Sequence, residues 1–187
     1  MGKLIYSMIA SLDGYVADRD GDFTWAQPDE EVLEDVNRDI AGVSTYLYGR
    51  KMYEMMRVWE TDPAVAGQSP RSEDFARIWS TADKVVYSTT LPEVDTTRTQ
   101  LERRFDPDKV RRLKSRTEGD LTVDGPTLAA HAFRHQLVDE VHVLLCPVIV
   151  GGGLAMFPDS RVNLRCRDTK TFSSGMVRIH YSVAPRS

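Results

Sequence analysis

Several things that would define a protein class are scarce or missing in this sequence. It carries two cysteines in 187 residues, Cys146 and Cys166, and they form no CxxC pair. Neither a disulfide framework nor a cysteine metal site is therefore encoded; each cysteine lies in an apolar stretch, and both are expected to be reduced, buried thiols. No segment approaches 18 uninterrupted apolar residues, and the opening MGKLIYSMIASLDG holds one lysine and a short apolar run that meets Asp13. Secretion and membrane spanning are not expected, and a cytoplasmic location is. Positive charge is not in excess either: 24 basic against 28 acidic side chains leave a net −4. A dedicated nucleic-acid binder would need a dominant positive field, so none is expected here. Repeats and low-complexity linkers are also missing. Residues 1–187 read as one domain, long enough to bury about 70% of its unfolded surface without covalent or metal support.

What is present is an alternation of strands and helices. Leu4 to Ile9 is an apolar strand broken by Asp13-Gly14, and a polar, Asp-rich stretch then runs to Pro28. Loops longer than about 12 to 15 residues in compact domains are usually lids or binding loops, so residues 10–28 are the first candidate site. Pro28 opens a helix with Val32, Leu33, Val36 and Ile40 at helical spacing, and with Asp29, Glu30 and Glu31 in the first turn, where the helix dipole favours acids. Val43 to Tyr48 reads as a strand, Gly49 as a turn, and Arg50 to Val58 as a helix. A loop is expected over residues 60–71, then a helix through Phe75, Ile78 and Trp79, then a strand from Lys84 to Tyr87.

The charged segment 98–116 is expected to hold a strand and a helix, followed by a strand at Leu121 to Val123 and a helix from Pro126 through Leu137. Val138 to Cys146 alternates as a strand. Alternation on either side of Ser173-Ser174-Gly175 makes the C-terminal part a β-hairpin. The fold class is α/β: a mostly parallel central sheet of about eight strands, finished by an antiparallel hairpin, with helices on both faces.

Three turns follow strands in this reading: Gly49-Arg50-Lys51, Ser88-Thr89-Thr90 and Gly125-Pro126-Thr127. If their strands are parallel they share one sheet edge, where open α/β folds bind ligands. Exposed helix N-termini, two basic side chains and several hydroxyls are the groups that hold phosphates, and together they favour a dinucleotide. Glycine also serves such junctions for geometry alone, so no single turn decides the matter.

SLDGYVA at 11–17, Trp25 and Pro28 before a helix, YLYGRKMYE at 46–54, KVVYSTT at 84–90, VDGPTLAAHAF at 123–133, LVDEVHVLLCPVIVGGG at 137–153 and MFPD at 156–159 carry a further signal. In this order they resemble the dihydrofolate-reductase-like superfamily, and within it the reductase domain of the bifunctional riboflavin-biosynthesis deaminase-reductase and its stand-alone relatives. The resemblance implies an NADPH-dependent reductase of a small nitrogen heterocycle, of the pteridine or ribosylamino-pyrimidine type, acting as a homodimer. It implies Gly49, Arg50 and Lys51 at the pyrophosphate and 2′-phosphate, Ser88, Thr89 and Thr90 beside the adenosine phosphate, and Gly125, Pro126, Thr127 and Leu128 under the pyrophosphate. Ile9, Ala10, Val16 and Ala17 would border the nicotinamide. An acid near the Trp25 and Pro28 pair would orient and polarise the heterocycle; Glu30 falls closest, with Asp29 beside it. Asp13 matches an aspartate of the family's S-x-D-G segment, and Trp25 is expected to wall the substrate. First-turn acids and a turn aspartate before Gly14 also have purely structural explanations.

The departures from the family pattern bear on the site. Asp124 stands where the family turn has the first of two glycines, Met52 where folate reductases have a threonine, Tyr6 where the riboflavin reductase has a lysine, and Val123 where it has a carboxylate. A non-catalytic homodimer that binds a nucleotide or another small ligand is therefore the alternative reading. Other patterns are weak. Asp18, Asp20 and Asp22 lack the EF-hand glycine and closing glutamate. His131 and His135 lack a third ligand, and the arginine run at 103–116 is interleaved with acids. Gly151 to Gly153 is no GxGxxG motif and is expected to permit a bulge or close packing between subunits.

Overall fold

The computed structural model describes residues 2–184. In chain order its strands are β1 (Leu4–Ser11), β2 (Tyr15–Ala17), β3 (Val43–Gly49), β4 (Asp83–Tyr87), β5 (Thr99–Glu102), β6 (Asp120–Asp124), β7 (Glu140–Cys146), β8 (Leu154–Ala155), β9 (Leu164–Thr171) and β10 (Val177–Val183). Its helices are α1 (Glu30–Ile40), α2 (Arg50–Met56), α3 (Val58–Thr61), α4 (Pro63–Ala66), α5 (Pro70–Thr81), α6 (Pro107–Arg116) and α7 (Pro126–Arg134). Eight strands form one sheet in the order β5-β4-β3-β6-β1-β7-β10-β9. Neighbours are parallel from β5 to β7, and β10 runs antiparallel to both β7 and β9. The sheet is the expected one, and the parallel direction brings the carboxyl ends of β1, β3, β4, β6 and β7 to one edge.

Apolar faces explain the layers. On one side of the sheet, Val110 of α6 and Leu128, Ala129, Ala132 and Phe133 of α7 pack over Leu4, Tyr6, Leu47, Leu121 and Val123. On the other, Phe75 and Trp79 of α5 cover Tyr46, Tyr48 and Val86, while Val32 of α1 packs toward Leu144, Cys146, Phe172 and Met176. Tyrosine and tryptophan enter this core because their polar ends find partners: Trp79 Nε1 donates to Tyr48 at 2.9 Å, and Tyr6 donates to the carbonyl of Met156 at 2.5 Å.

Several boundaries differ from expectation for local reasons. Helix α1 begins at Glu30, since Asp29 is its N-cap and accepts a hydrogen bond from Val32 N. Residues 60–71 are not a plain loop. Asp62 caps α4 ahead of Pro63, and Ser69 caps α5 ahead of Pro70, so both prolines sit where a helix tolerates them. Helix α7 stops at Arg134, before Leu137. Cys146 is buried as expected, with desolvation pushing its thiol up to about 11, but Cys166 is exposed. It lies on β9, the edge strand, where alternation continues although much of the strand is uncovered.

The glycine triplet packs within the chain. A Cβ on Gly153 would stand 2.1 Å from the carbonyl oxygen of Ala17, and one on Gly152 would stand 2.5 Å from the Arg19 guanidinium. This close approach lets β8 pair with β2, which ties the long first loop across the edge where the parallel strands end.

Candidate active site

A cleft of about 1900 Å³ opens at that edge. Pockets for one small ligand usually span roughly 300 to 1000 Å³, so this one has room for a cofactor and a substrate together. Its lining takes in Ile9 of β1, Val16 and Ala17 of β2, and all three turns: Gly49, Arg50 and Lys51; Ser88, Thr89 and Thr90; Gly125, Pro126, Thr127 and Leu128. Every residue expected to hold the cofactor faces it except Ala10, which is fully buried in the core beneath.

The turns carry complementary chemistry. Arg50 is held between two of them, its Nε donating to Glu54 at 2.7 Å and its Nη1 to Thr90 Oγ1 at 3.0 Å. Ser88 Oγ accepts from the backbone N–H of Thr90 and Leu91, which fixes the second turn. Gly125 has φ +96° and no side chain to cap α7, which begins at Pro126. That leaves a helix N-terminus facing the cleft with its positive dipole end uncapped by any side chain. A cation beside hydroxyls and an open helix start fits the phosphates of a dinucleotide. Asp124 fits them less well: its carboxylate is in the same lining, bonded among the described residues only to Thr122 Oγ1 at 2.8 Å. Desolvation pushes that carboxyl up to about 7.

The expected substrate residues are placed differently. Glu30 lies outside the cleft lining; it is exposed and points toward Arg71 of α5 at 3.7 Å. Asp29 is occupied as the α1 cap. Asp13 also lies outside the lining and accepts from the backbone N–H of Val150 at 3.2 Å and Gly151 at 2.8 Å, so it anchors the glycine triplet. Its carboxyl is held below the usual range, first by Ser11 and then by those amides. Trp25 packs inward against the cluster around Val32, Leu144 and Phe172 rather than walling the cleft, which Phe23 and Ala26 line instead.

A group of charged and imidazole side chains faces the cleft from α1, β7 and β10: Asp35, Asp39, His142, Arg178 and His180. Asp35 is almost wholly buried; it accepts from Lys170 at 2.7 Å and from Arg178 at 2.6 Å. His142 and His180 are cross-strand partners whose rings stack at 3.7 Å. Burial, then the His180 charge, hold His142 below its ordinary value. His180 Nε2 lies 2.8 Å from Asp39 Oδ2, off the ring's hydrogen-bonding direction, so this is a close approach rather than an aligned bond. Asp39, His142 and His180 offer ligand atoms within 4.8 Å of one another. The ring planes differ by only 12°, so their in-plane lone pairs do not converge on one ion, and Arg178 already reaches Asp39. The cluster is an ion-paired wall of the cleft. Its sequence signal was the spacing of Asp35 and Asp39 beside the apolar positions of α1, together with polar residues two apart on β7 and β10.

Comparison with known proteins agrees with this architecture. The family model described as the RibD C-terminal domain matches residues 2–178. An uncharacterized protein of Bacillus subtilis, YyaP, is 29% identical over 96% of this chain and 94% of its own length. Among solved structures, a putative riboflavin biosynthesis protein from Shewanella superposes with TM-score 0.76 at 20% identity, covering 99% of this chain and all of that one. The Thermotoga maritima diaminohydroxyphosphoribosylaminopyrimidine deaminase/5-amino-6-(5-phosphoribosylamino)uracil reductase gives TM-score 0.65 at 15% identity over 98% of this chain, which spans only 57% of that protein. A pyrimidine reductase-like protein of Corynebacterium diphtheriae gives 0.62 at 11% identity over 99% of this chain and 93% of its own. These likenesses establish the dihydrofolate-reductase-like fold. With its model matched over nearly the whole sequence, the chain belongs to the RibD C-terminal domain family.

Proposed function

We propose that this protein is an NADPH-dependent reductase of a small, flat nitrogen heterocycle, of the pteridine or ribosylamino-pyrimidine type. The observation that carries the reading is the convergence of three phosphate-fitting turns and the β1–β2 segment on one cleft large enough for two ligands. NADPH, when bound, supplies a hydride; the protein's task is to hold distance and angle and to keep water out. Arg50 and Lys51 supply charge for the phosphates, the Ser88 to Thr90 hydroxyls supply hydrogen bonds, and Ile9, Val16 and Ala17 supply an apolar frame for a flat ring. The heterocycle faces the wall of Asp35, Asp39, His142 and His180. Asp124 favours a second reading, a non-catalytic homodimer with a degraded cofactor site that binds a nucleotide or another small ligand, because its carboxylate opposes the dinucleotide's phosphates in the cleft.

NADPH binding with turnover separates the two, and Arg50→Ala tests the 2′-phosphate end by cofactor preference. Losing a charge-assisted bond is expected to weaken NADPH about 10- to 100-fold and to leave NADH nearly unchanged, measured by nicotinamide fluorescence. Equal losses for both cofactors, or none, would count against a 2′-phosphate at Arg50. Turnover of dihydrofolate compared with that of the phosphorylated ribosylamino-pyrimidine then identifies the substrate class.

A further inference from the structure

Asp124 closes β6 one residue before the turn that opens α7, and it lines the cleft. Its register partner is Tyr48 on β3. Tyr46 and Tyr48 of β3 and Tyr6 of β1 all feel its charge. No cation pairs with it among the described residues; its one partner is the Thr122 hydroxyl. The turn beyond it is tightly held. Gly125 N donates to Met8 Sδ at 3.2 Å, and a Cβ on Gly125 would meet Met52 Cβ at 3.6 Å. The main chain is thus fixed at this point, and the Asp124 side chain is held toward Thr122, its same-face neighbour on β6, one residue ahead of the turn into α7.

A carboxylate and a phosphate in one cleft, the carboxylate one residue ahead of the turn that would receive the phosphate, repel each other. A neutral carboxylic acid in the same place removes the repulsion and gains an O–H that can donate to a phosphate oxygen. Resting on the reading of the cleft as a dinucleotide site, we infer that Asp124 governs cofactor admission: the pyrophosphate is taken up together with one proton carried by the Asp124 carboxyl. The desolvation that already raises this group supports the assignment. Binding then raises it further, so affinity is full at pH values below the free protein's carboxyl pKa and falls as pH rises through it.

The test uses NADH, whose lack of a 2′-phosphate removes that group's own titration. Wild-type affinity is expected to fall about 20-fold between roughly pH 6.5 and 8.5. Asp124→Asn keeps the size and an acceptor for Thr122 but never carries charge, and its affinity is expected to be flat over that range and higher than wild type at the upper end. Calorimetry in two buffers of different ionisation enthalpy should show about one proton taken up by wild type near pH 8 and none by Asp124→Asn. His131 on α7 also lines the cleft, and His142 lies on the β7 wall; both are unchanged in Asp124→Asn. A slope that survives in Asp124→Asn therefore overturns the inference, as does a flat wild-type profile. If neither protein binds NADH or NADPH at any pH, the dinucleotide reading itself fails and the inference falls with it.

Discussion

Replacing Asp35 with alanine is expected to lower the unfolding free energy by about 3 kcal/mol, the lower edge of what losing one partner of a buried ion pair costs. The carboxylate joins α1 to the antiparallel end of the sheet through Lys170 on β9 and Arg178 on β10, at 2.7 and 2.6 Å. Its side chain is only 3% exposed, and that of Arg178 only 16%. Without Asp35, both cations lose their closest shared counter-charge, Arg178 in a place water barely reaches and Lys170 at a third exposure. Arg178 retains Asp39 and Asp168, which limits the loss. For a domain of this length the change corresponds to a drop of roughly 6 to 12 °C in Tm. The effect has a defined pH window. Burial pushes the Asp35 carboxyl up, but the Lys170 hydrogen bond and the charges of Arg178 and Lys170 outweigh it and hold the group below its usual value. A depressed carboxylate adds stability above its unfolded pKa and loses it as pH falls through the folded one. The gap between wild type and Asp35→Ala should therefore be constant from about pH 5 upward and close in stronger acid. Chemical denaturation at several pH values measures this; a gap that widens in acid would contradict the assignment.

The second large effect is expected at Gly153, where the cause is backbone geometry rather than charge. Gly153 has φ +137°, and an added Cβ would stand 2.1 Å from the Ala17 carbonyl oxygen and 2.6 Å from the Asp18 carbonyl carbon. The clashing atoms are main chain, so no side-chain rotation relieves them. Gly153→Ala should cost about 2 to 5 kcal/mol from overpacking and strain combined. It should also loosen the pairing of β2 with β8 that carries Val16 and Ala17 along the cleft. Gly151 provides the control. Its φ is +73°, but nothing lies within 4 Å of an added Cβ, so Gly151→Ala should cost only about 1 kcal/mol. Similar urea midpoints for the two variants would show that the crossing of residues 17–18 and 153 is looser than described.

These two sites also mark the boundary of what the sequence revealed. The order of the main strands, the parallel core and the closing hairpin were legible because long apolar runs, alternation and turn residues agree there. The three strand-end turns that line the cleft were legible because glycine, cations and hydroxyls cluster at strand ends. Strands β2 and β8 span three and two residues, too few to show any period, so the crossing that makes Gly153 indispensable was invisible. The caps of α4 and α5 were in plain sight as Asp62-Pro63 and Ser69-Pro70, yet two prolines and a glycine resembled a loop. Cys166 misled because alternation is the same on a covered face and an open one. At the substrate end, Glu30 matched by position along the chain, but α1 turns it outward to Arg71 and presents Asp35 and Asp39 to the cleft. Helix phase decided that outcome, and His142 and His180 entered the wall only through strand pairing across 38 residues of sequence.

Titration of the whole chain with NADPH near pH 6.5 tests most directly the proposal that the cleft at the carboxyl edge of the sheet is a dinucleotide site. A single saturable site is expected, with stabilisation of about 2.7 kcal/mol at 100-fold excess over Kd, or roughly 5 to 10 °C in Tm. No fluorescence change and no thermal shift at millimolar NADPH, in wild type and in Asp124→Asn alike, would contradict it.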